Sequence, residues 1–244
     1  MIELEGVEKS FDRPVLRQVS LSLPKGCLYG LIGPGASGKS LVLKVIAGLV
    51  QPEAGRVLVD GRDVTRLGEL ELAEHRRNIG MLFQNNALFD HMSVADNIAF
   101  PLRRLSSLSE AEIAERVAER LACVSLPGFE SRMPSGLSGG QKKRVGVARA
   151  TVTRAPIVLY DEPAAGLDPV TSQKIFDLLR AEQQQSGATV LMVSSDLDRM
   201  LPVTDKIGMM LDGRLIFEGT AEEARQTADE RVRQFVLGLV DGPL

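Results

Sequence analysis

Residues 33–40 are Gly33-Pro34-Gly35-Ala36-Ser37-Gly38-Lys39-Ser40, and they fit the pattern G-x-x-x-x-G-K-[ST] of a phosphate-binding loop. Gly35 and Gly38 are expected to let the backbone curl, so that successive N–H groups point inward and form an anion site at a helix N-terminus. Lys39 is predicted to reach the β- and γ-phosphates of a nucleoside triphosphate. The Ser40 hydroxyl is placed to ligate the Mg²⁺ that bridges those phosphates. A chance glycine-rich turn is the alternative.

The sequence on either side favours the phosphate-binding interpretation. Residues 27–32 are an apolar run typical of a buried strand before the loop. After the loop, apolar residues recur at helical spacing, at Leu41, Val42, Val45, Ile46 and Leu49. A strand, a loop and a helix in this order are what a phosphate cradle requires.

Length and composition are those of an ordinary globular protein. The chain has 244 residues, 44% of them hydrophobic, and a net charge of −3 at pH 7, which argues against general nucleic-acid binding. No apolar run approaches the length of a membrane span, and the first residues lack the pattern of a signal peptide. Cys27 and Cys123 match no metal-ligand spacing and are predicted to be buried small hydrophobes in a reduced compartment. We therefore expect a cytosolic protein that can still bind a membrane protein.

Two half-buried antiparallel strands are predicted ahead of the loop. Residues 2–7 and 19–23 alternate apolar and polar side chains. Phe11 lies between these two strands. An aromatic residue at a strand-edge turn is more often part of the core than a ligand contact, yet its face also suits stacking on a purine.

A strand and a helical stretch are predicted after the first helix. Residues 56–61 form a strand that ends in an Asp-Gly turn, and residues 78–84 form an apolar strand that delivers Gln84 to its end. From residue 93 to residue 149 the pattern is mostly helical and includes the capping box Ser109-Glu110-Ala111-Glu112. We interpret this stretch as a helical insertion.

The insertion ends with a second glycine-rich motif, Leu137-Ser138-Gly139-Gly140-Gln141, which opens another helix. Two glycines at a helix N-terminus make a second end that favours anions. The same helix carries four basic residues, Lys142, Lys143, Arg144 and Arg149. By default such residues are predicted to form a solvated face, and a ligand role is the alternative.

A pair of carboxylates follows a strand that is predicted to be buried. Residues 157–160 are a short continuous apolar run, typical of a strand covered on both faces of a parallel sheet. Asp161 and Glu162 come directly after it, point to opposite sides, and lie where open α/β sheets bind ligands. One carboxylate is suited to hold Mg²⁺ through water and the other to orient a nucleophilic water. A purely structural role for the pair is the alternative.

The remaining elements continue the α/β pattern. Asp168 and Pro169 begin a helix, and residues 188–193 predict another buried strand. Residues 206–211 and 214–217 predict two strands joined by an Asp-Gly turn. A second capping box, Thr220-Ala221-Glu222-Glu223, precedes a short helical tail.

The predicted fold class is α/β, of the P-loop NTPase type. A mostly parallel sheet has helices on both faces, with an antiparallel layer on its N-terminal side and one helical insertion. We expect a single domain over residues 1–244. Its nucleotide-binding core is predicted to comprise residues 1–92 and 150–220, its helical subdomain residues 93–149, and its C-terminal helical tail residues 221–244.

The order of these motifs resembles that of ABC-transporter ATPase subunits along nearly the whole chain. The matching features are the phosphate loop, Gln84, the signature Leu137–Gln141, and Ile157-Val158-Leu159-Tyr160-Asp161-Glu162. The resemblance implies a head-to-tail homodimer that sandwiches two ATP molecules, with Mg²⁺, each between the phosphate loop of one subunit and the signature of the other.

The resemblance also implies individual roles. Phe11 resembles the adenine-stacking aromatic, and Gln84 the residue that links Mg²⁺ and the attacking water to the membrane partner. Asp161 resembles the carboxylate on the Mg²⁺ side, where Ser40 and Gln84 also lie. Glu162 resembles the general base, and Asp168 an aspartate of the dimer interface. The implied nucleotide contacts are Gly33, Pro34, Gly35, Ala36, Ser37, Gly38, Lys39, Ser40, Ser138, Gly139, Gly140 and Gln141.

A narrower resemblance is to the ATPases of Mce/Mla-type lipid transporters. It is carried by Phe89-Asp90, by residues 97–102, by Phe235-Val236-Leu237-Gly238 and by residues 241–243. It implies movement of phospholipid or other lipid between the membranes of a diderm envelope. The implied partners are an integral permease and a lipid-binding Mce-type protein, and the implied location is the cytoplasmic face of the inner membrane. Another ABC substrate class is the alternative.

One residue departs from the family pattern. The family normally has a histidine that contacts the γ-phosphate after the strand that here spans residues 189–193, and this chain has Ser195 there. His75 and His91 lie far from that position in the sequence and are predicted to be surface residues. A serine lacks the reach and charge of an imidazole, so Ser195 is a catalytic candidate that puts the rate in doubt.

Three functions remain open from the sequence. The first is an energy-coupling ATPase, and the second is a module that dimerises on ATP and hydrolyses it poorly because of Ser195. The third is a soluble ABC protein that acts on the ribosome or DNA, which the single cassette and the acidic composition disfavour.

Overall fold

The computed structural model describes residues 1–244. The strands are β1 (Ile2–Ser10), β2 (Pro14–Leu23), β3 (Leu28–Ile32), β4 (Ala54–Val59), β5 (Arg62–Asp63), β6 (Ile79–Leu82), β7 (Ile157–Asp161), β8 (Thr189–Val193), β9 (Lys206–Leu211) and β10 (Arg214–Gly219). The α-helices are α1 (Lys39–Ile46), α2 (Glu69–Arg77), α3 (Val94–Leu105), α4 (Glu110–Cys123), α5 (Gly139–Thr151), α6 (Pro169–Ser186), α7 (Leu197–Met200), α8 (Ala221–Gln226) and α9 (Glu230–Leu237). Short 3₁₀ turns lie at Pro134–Gly136 and Leu201–Val203.

The strands form two sheets, as the α/β prediction requires. The six-stranded sheet has the order β10-β9-β3-β8-β7-β6; β9 through β6 are parallel, and β10 is antiparallel to β9. The four-stranded sheet is antiparallel, in the order β2-β1-β4-β5. Because β3, β8, β7 and β6 are parallel neighbours, the segments that follow them lie at one edge of the large sheet.

The central sheet separates two hydrophobic clusters. Leu28 and Ile32 of β3 belong to a cluster of 35 buried residues. Tyr29 and Leu31 of the same strand point to the opposite face and belong to a cluster of 23 buried residues, which includes the antiparallel sheet and α1. This alternation explains why β3, β7 and β8 are buried at every position and mostly apolar, since both of their faces are covered.

Helix ends follow the capping signals of the sequence. The side chains of Ser109 and Thr220 accept hydrogen bonds from the backbone N–H groups of Glu112 and Glu223, which completes both predicted capping boxes. Asp168 caps α6 by accepting from the N–H groups that follow Pro169. None of the helices has the length and apolar character that crossing a membrane requires.

The predicted insertion is helical and shares its interior with the sheet. The buried apolar residues of α3, α4 and α5 belong to the larger cluster, together with one face of β7 and β8 and with residues of α6. Arg120 of α4 forms a salt bridge with Glu182 of α6 and also donates to the hydroxyl of Thr151. Arg120 and Glu182 are both buried. The boundaries of a separate helical subdomain stay a prediction.

Some predictions about polar residues were wrong. His75 is buried rather than a surface residue, with Nε2 2.8 Å from the carbonyl oxygen of Ile46. Cys123 is only partly buried, whereas Cys27 is buried as predicted. Helix α2 has no counterpart in the prediction, because only one of its residues is buried and it therefore leaves no apolar stripe.

The default prediction placed the basic residues of α5 on a solvated face. Two of them are instead engaged with the protein. Lys143 is 5% exposed, and its ammonium donates to backbone carbonyls. Arg149 donates to the carbonyl oxygens of Asn86 and Ala87. The long aliphatic stems of these side chains let a charged end reach across a helix packing interface, which a pattern of residue types does not reveal.

Candidate nucleotide-binding and hydrolysis site

The phosphate loop joins β3 to α1 and requires glycine at both of its ends. Gly33 has φ +138°, and a Cβ there would lie 2.0 Å from the carbonyl oxygen of Met210. Gly38 has φ +100°, and its Cβ would lie 2.8 Å from the Leu16 side chain. Gly35 is not in the left-handed region, whereas its neighbour Ala36 is, with φ 60°. The role of Gly35 in the curl of the loop stays a prediction.

Lys39 is the first residue of α1, and its side chain folds back into the loop. Its ammonium donates to the carbonyl oxygens of Gly33 and Pro34 over 2.8 and 2.7 Å, and to the Ser37 hydroxyl over 3.3 Å. Burial lowers the pKa of Lys39, against the opposing effect of the carboxylates of Glu162 and Asp161. The cation is therefore held at the mouth of the cradle by neutral oxygen atoms, which leaves its charge available to an anion.

Ser40 and Asp161 meet across the sheet edge. The Ser40 hydroxyl donates to Oδ1 of Asp161 over 2.8 Å, and Asp161 is buried. One carboxylate and one hydroxyl are hard oxygen donors of the kind Mg²⁺ takes when phosphates and water complete its coordination. No cluster of three His, Cys, Asp or Glu side chains suited to a metal occurs in this structure. The donor set thus fits a nucleotide-bound Mg²⁺ rather than a metal held by protein alone.

Glu162 has a strained backbone and an oriented side chain. Its φ is 49°, and its N–H donates to the carbonyl oxygen of Val193 at the end of β8 over 2.9 Å. Its Oε2 atom accepts two hydrogen bonds, from the N–H and from the hydroxyl of Ser195, both 3.1 Å long. The departure from the family histidine therefore lies in direct contact with the predicted general base.

A lysine that the sequence analysis left on a solvated face links two site loops. The ammonium of Lys143 donates to the carbonyl oxygen of Gln84 over 2.6 Å and to that of Glu162 over 3.0 Å. Burial lowers the pKa of Lys143, again against the opposing effect of Glu162 and Asp161. The Gln84 side chain itself is exposed beyond β6.

Lys39, Ser40, Gln84 and Glu162 line one cleft of about 750 Å³ at the carboxyl edge of the parallel sheet. Asp161, Lys143 and Ser195 are not among the residues that line it. Residues 35–38 of the loop and Leu41 of α1 also line the cleft, whereas Gly33 and Pro34 do not, and the nucleotide contacts assigned to residues 33–40 stay predictions. The cleft is also lined by residues not predicted for the site: Arg13 just before β2, Val15 and Arg17 of β2, and Asp212 and Gly213 of the β9–β10 turn. Two arginines four residues apart, upstream of the phosphate loop, were the signal that could have pointed to Arg13 and Arg17.

Residues 16–165 match the ABC transporter family. The chain belongs to the ABC transporter family. It is 38% identical over 245 residues to the intermembrane phospholipid transport system ATP-binding protein MlaF of Haemophilus influenzae, covering 100% of this chain and 93% of that protein. It is 39% identical over 240 residues to the methionine import ATP-binding protein MetN of Caulobacter vibrioides, covering 97% of this chain and 72% of that protein.

A solved ABC cassette has the same fold. The dimeric post-hydrolysis structure of the ATP-binding cassette MJ0796 with ADP and Pi is 32% identical, with a TM-score of 0.84, and covers 90% of this chain and 98% of that chain. The present chain is accordingly an ABC-type ATPase with a P-loop NTPase fold. The relatives carry names for different transported substrates, so family membership alone does not give the substrate.

Phe11, the predicted adenine contact of this ABC ATPase, lies outside the cleft. Phe11 is 64% exposed on the β1–β2 turn, so the core interpretation of this residue was wrong. The Lys9 ammonium lies 5.5 Å from the centre of its ring. The ring is not among the residues that line the cleft, and its stacking on adenine stays a prediction.

The signature begins α5. Ser138 caps the helix by accepting from the N–H of Gln141, whose side chain accepts in return from the N–H of Ser138. Gly139 and Gly140 form the first turn. None of these four residues lines the cleft that holds the phosphate loop of the same chain. A single chain therefore does not bring the two predicted halves of the ATP site together.

Proposed function

We propose that this protein binds ATP with Mg²⁺ and hydrolyses it in a head-to-tail homodimer, and that it thereby drives lipid transport through a membrane permease. The observation that carries the ATPase part is the convergence of the Lys39 ammonium, the Ser40–Asp161 pair and the Glu162 carboxylate at one sheet edge. These are a cation for phosphates, oxygen ligands for a metal and a base for water.

Each group has a distinct task in this proposal. Lys39 and the backbone N–H groups of residues 35–40 bind the β- and γ-phosphates. Ser40, Asp161 and Gln84 are the protein groups that hold Mg²⁺, directly or through water. When bound, the metal neutralises charge on the phosphate oxygens. Glu162 accepts a proton from the water that attacks the γ-phosphorus. As the new P–O bond forms, the bond from the γ-phosphorus to the β–γ bridging oxygen breaks, and ADP leaves with that oxygen.

The proposed dimer is supported by the separation of the signature from the phosphate loop within one chain. Ser138, Gly139, Gly140 and Gln141 present the N-terminus of α5 away from their own phosphate loop. An anion-favouring helix end that has no role in its own cleft suits the γ-phosphate bound by a second copy. Asp168, exposed at the N-terminus of α6, is proposed to lie at the same interface.

Glu162→Gln tests the ATPase assignment. We expect the variant to bind ATP, to lose nearly all hydrolysis, and to accumulate as an ATP-bound dimer, because the amide keeps the size of the side chain and loses its basicity. Steady-state ATP hydrolysis gives the rate, and light scattering with and without ATP gives the oligomeric state. Glu115→Gln is the matched control, since Glu115 is exposed on α4. Turnover of Glu162→Gln at the wild-type rate would exclude Glu162 as the base.

The lipid part of the proposal rests on likeness to one class of transporter. It is supported by the full-length match to the phospholipid transport protein MlaF and by the motifs around Phe89, residues 97–102 and residues 235–238. In this proposal the ATPase binds an integral permease on the cytoplasmic face of the inner membrane, with a lipid-binding Mce-type protein in the same complex and no nucleic acid. ABC transport of another substrate class is the alternative that MetN represents.

Purification from membranes distinguishes these substrates. The tagged full-length protein is isolated in detergent with its permease, and the bound molecules are identified by mass spectrometry. Co-purifying phospholipid that is released when ATP is added supports the proposal. A permease that carries an amino acid or another polar solute contradicts it.

A second candidate, an ATP-gated dimerisation module with weak hydrolysis, is favoured by one observation. Ser195 is engaged with Glu162 rather than standing free to meet a γ-phosphate. Wild-type protein that dimerises on ATP without turnover, alone and with its permease, would favour this candidate over the transporter.

A further inference from the structure

Lys143 occupies an unusual position for a lysine. The residue is 5% exposed, and the two hydrogen bonds from its ammonium run to backbone carbonyl oxygens, those of Gln84 and Glu162. Lysine is almost never fully buried unless its charge is compensated. Burying the ammonium costs desolvation free energy, and this cost lowers the pKa of Lys143.

The two carbonyl groups belong to separate segments of the site. Gln84 follows β6, and Glu162 follows β7. The two strands are parallel neighbours, so their ends lie side by side. Hydrogen bonds from a charged donor are stronger than those from a neutral one. One ammonium between the two carbonyl groups therefore fixes the spacing of the two loops.

The helix that supplies the lysine also supplies the signature. Helix α5 begins at Gly139, and Lys143 lies one turn further on, about 6 Å along the helix axis. A displacement of the N-terminus of α5 is transmitted to Lys143 because the intervening turn is hydrogen-bonded. The capping box of Ser138 and Gln141 stiffens this first turn.

We propose that Lys143 is a positioning residue that couples the signature to the catalytic base of its own chain. Its ammonium holds the backbone of Glu162, which has φ 49°, and that of Gln84 in a fixed position relative to the start of α5. Engagement of the signature with nucleotide on the partner subunit thus sets the position of Glu162 at the other site. This inference rests on the proposed roles of Glu162 and of the dimer.

Lys143→Met removes the ammonium and keeps most of the aliphatic stem. We expect kcat to fall by about 10²-fold, the effect of an ångström-scale misplacement of a reacting group. ATP affinity should stay near the wild-type value, because Lys143 does not line the cleft. Hydrogen–deuterium exchange should rise in peptides that cover residues 83–88 and 161–166, and elsewhere stay as in the wild type.

Two further variants separate positioning from general stability. Lys143→Arg keeps a charged donor that can reach both carbonyl groups, and we expect it to restore at least about 10-fold of the lost kcat. Lys174→Met, at an exposed position of α6, is the control and should change neither kcat nor exchange. Should Lys143→Met fail to fold, Lys143→Gln, which keeps an N–H donor and loses the charge, replaces it in the same assays.

Several results would overturn the proposed role of Lys143. Unchanged kcat in Lys143→Met, or loss of ATP affinity and thermal stability with no local exchange at the two loops, overturns the coupling role. Absence of rescue by arginine does so as well. The exchange measurement does not depend on hydrolysis. Failure of the proposed function, seen as an active Glu162→Gln variant, can therefore be told apart from failure of this inference.

Discussion

Ser195 donates two hydrogen bonds to a single oxygen of Glu162, one from its backbone N–H and one from its hydroxyl, each 3.1 Å long. The neighbours of Ser195 are engaged elsewhere. Asp196 forms a salt bridge with Arg199, and the Ser194 hydroxyl accepts from the N–H of Asp196. The Asp196 carboxylate is thus paired with a cation, whereas the Ser194 hydroxyl keeps its own proton to donate. Ser195 holds the carboxylate of Glu162 in one orientation, and whether the predicted imidazole contact with the γ-phosphate is missing is tested by substitution.

Ser195→His is expected to raise turnover. An imidazole would add a donor to the transition state, and one such donor is worth about 10²–10³ in rate. ATP affinity should change little, since the gain belongs to the transition state. Steady-state hydrolysis of the wild type and the variant, each assembled with the permease, gives the comparison. Fast wild-type turnover with no gain from histidine would mean that the site has been rebuilt.

Lys39→Ala should abolish nucleotide binding at micromolar ATP concentrations. Removing one partner of a buried charge contact costs at least about 2 kcal/mol, roughly a 30-fold loss of affinity. A fluorescent ATP analogue titrated into the full-length protein measures the loss. Lys44→Ala serves as the control, because Lys44 is exposed on the same helix. Equal affinity in the two variants would remove Lys39 from the phosphate site.

Gly33→Ala and Gly35→Ala should differ in thermal stability although both lie in the phosphate loop. A Cβ at Gly33 would lie 2.0 Å from a backbone oxygen, whereas one at Gly35 meets nothing within 4 Å. We expect Gly33→Ala to lower Tm by about 5 °C or more and Gly35→Ala by about 1 °C. Differential scanning calorimetry without nucleotide measures both. Similar Tm values would contradict the close approach of Gly33 to Met210.

The C-terminal tail is expected to contact the partner subunit through three apolar side chains. Leu237, Leu239 and Val240 are 47, 49 and 96% exposed. Deleting residues 229–244 would also remove Val232 and Val236, which are buried, so substitution is the cleaner test. Changing the three exposed residues to serine should weaken the ATP-bound dimer of Glu162→Gln in gel filtration. Leu70→Ser, at an exposed position of α2, is the control and should leave the dimer unchanged. A dimer that is as stable with the serine-substituted tail as without it would contradict the contact.

The two cysteines should differ in reactivity. Burial raises the pKa of the Cys27 thiol to about 11. At pH 8 we expect iodoacetamide to label the partly buried Cys123 in the folded protein and Cys27 only after unfolding; labelling at equal rates would contradict this. Because the folded pKa lies above the value of about 8.5 for a free thiol, this group's contribution to stability is lost as pH rises above 8.5.

Local signals predicted the core of the fold well. The apolar runs at residues 157–160 and 188–193, the glycine motif at residues 33–40 and the capping boxes depend only on neighbours in the sequence, and each lies where it was expected. Helix α2 was not predicted, because it lacks a local apolar pattern. His75 is the one buried residue of this helix, and a single polar residue gives no apolar periodicity for a search to register.

The site was predictable where a motif supplies both residue type and spacing. Lys143 was not, because its role depends on two carbonyl groups that every residue possesses, brought to it by strands about 60 and 20 residues away along the chain. The contact between Ser195 and Glu162 likewise depends on the register between β7 and β8. Such register is fixed by packing of the whole sheet rather than by local sequence.

The buried pair of Arg120 and Glu182 limits how α4 can move against α6. A buried carboxylate left without its cation costs about 3–5 kcal/mol, so gradual separation of these helices is disfavoured at every intermediate distance. Rotation of α3, α4 and α5 as a body is therefore expected to turn about this pair as a pivot. Residues far from it, such as Ser138 at the start of α5, would travel furthest, and the pair itself would stay closed through the ATP cycle.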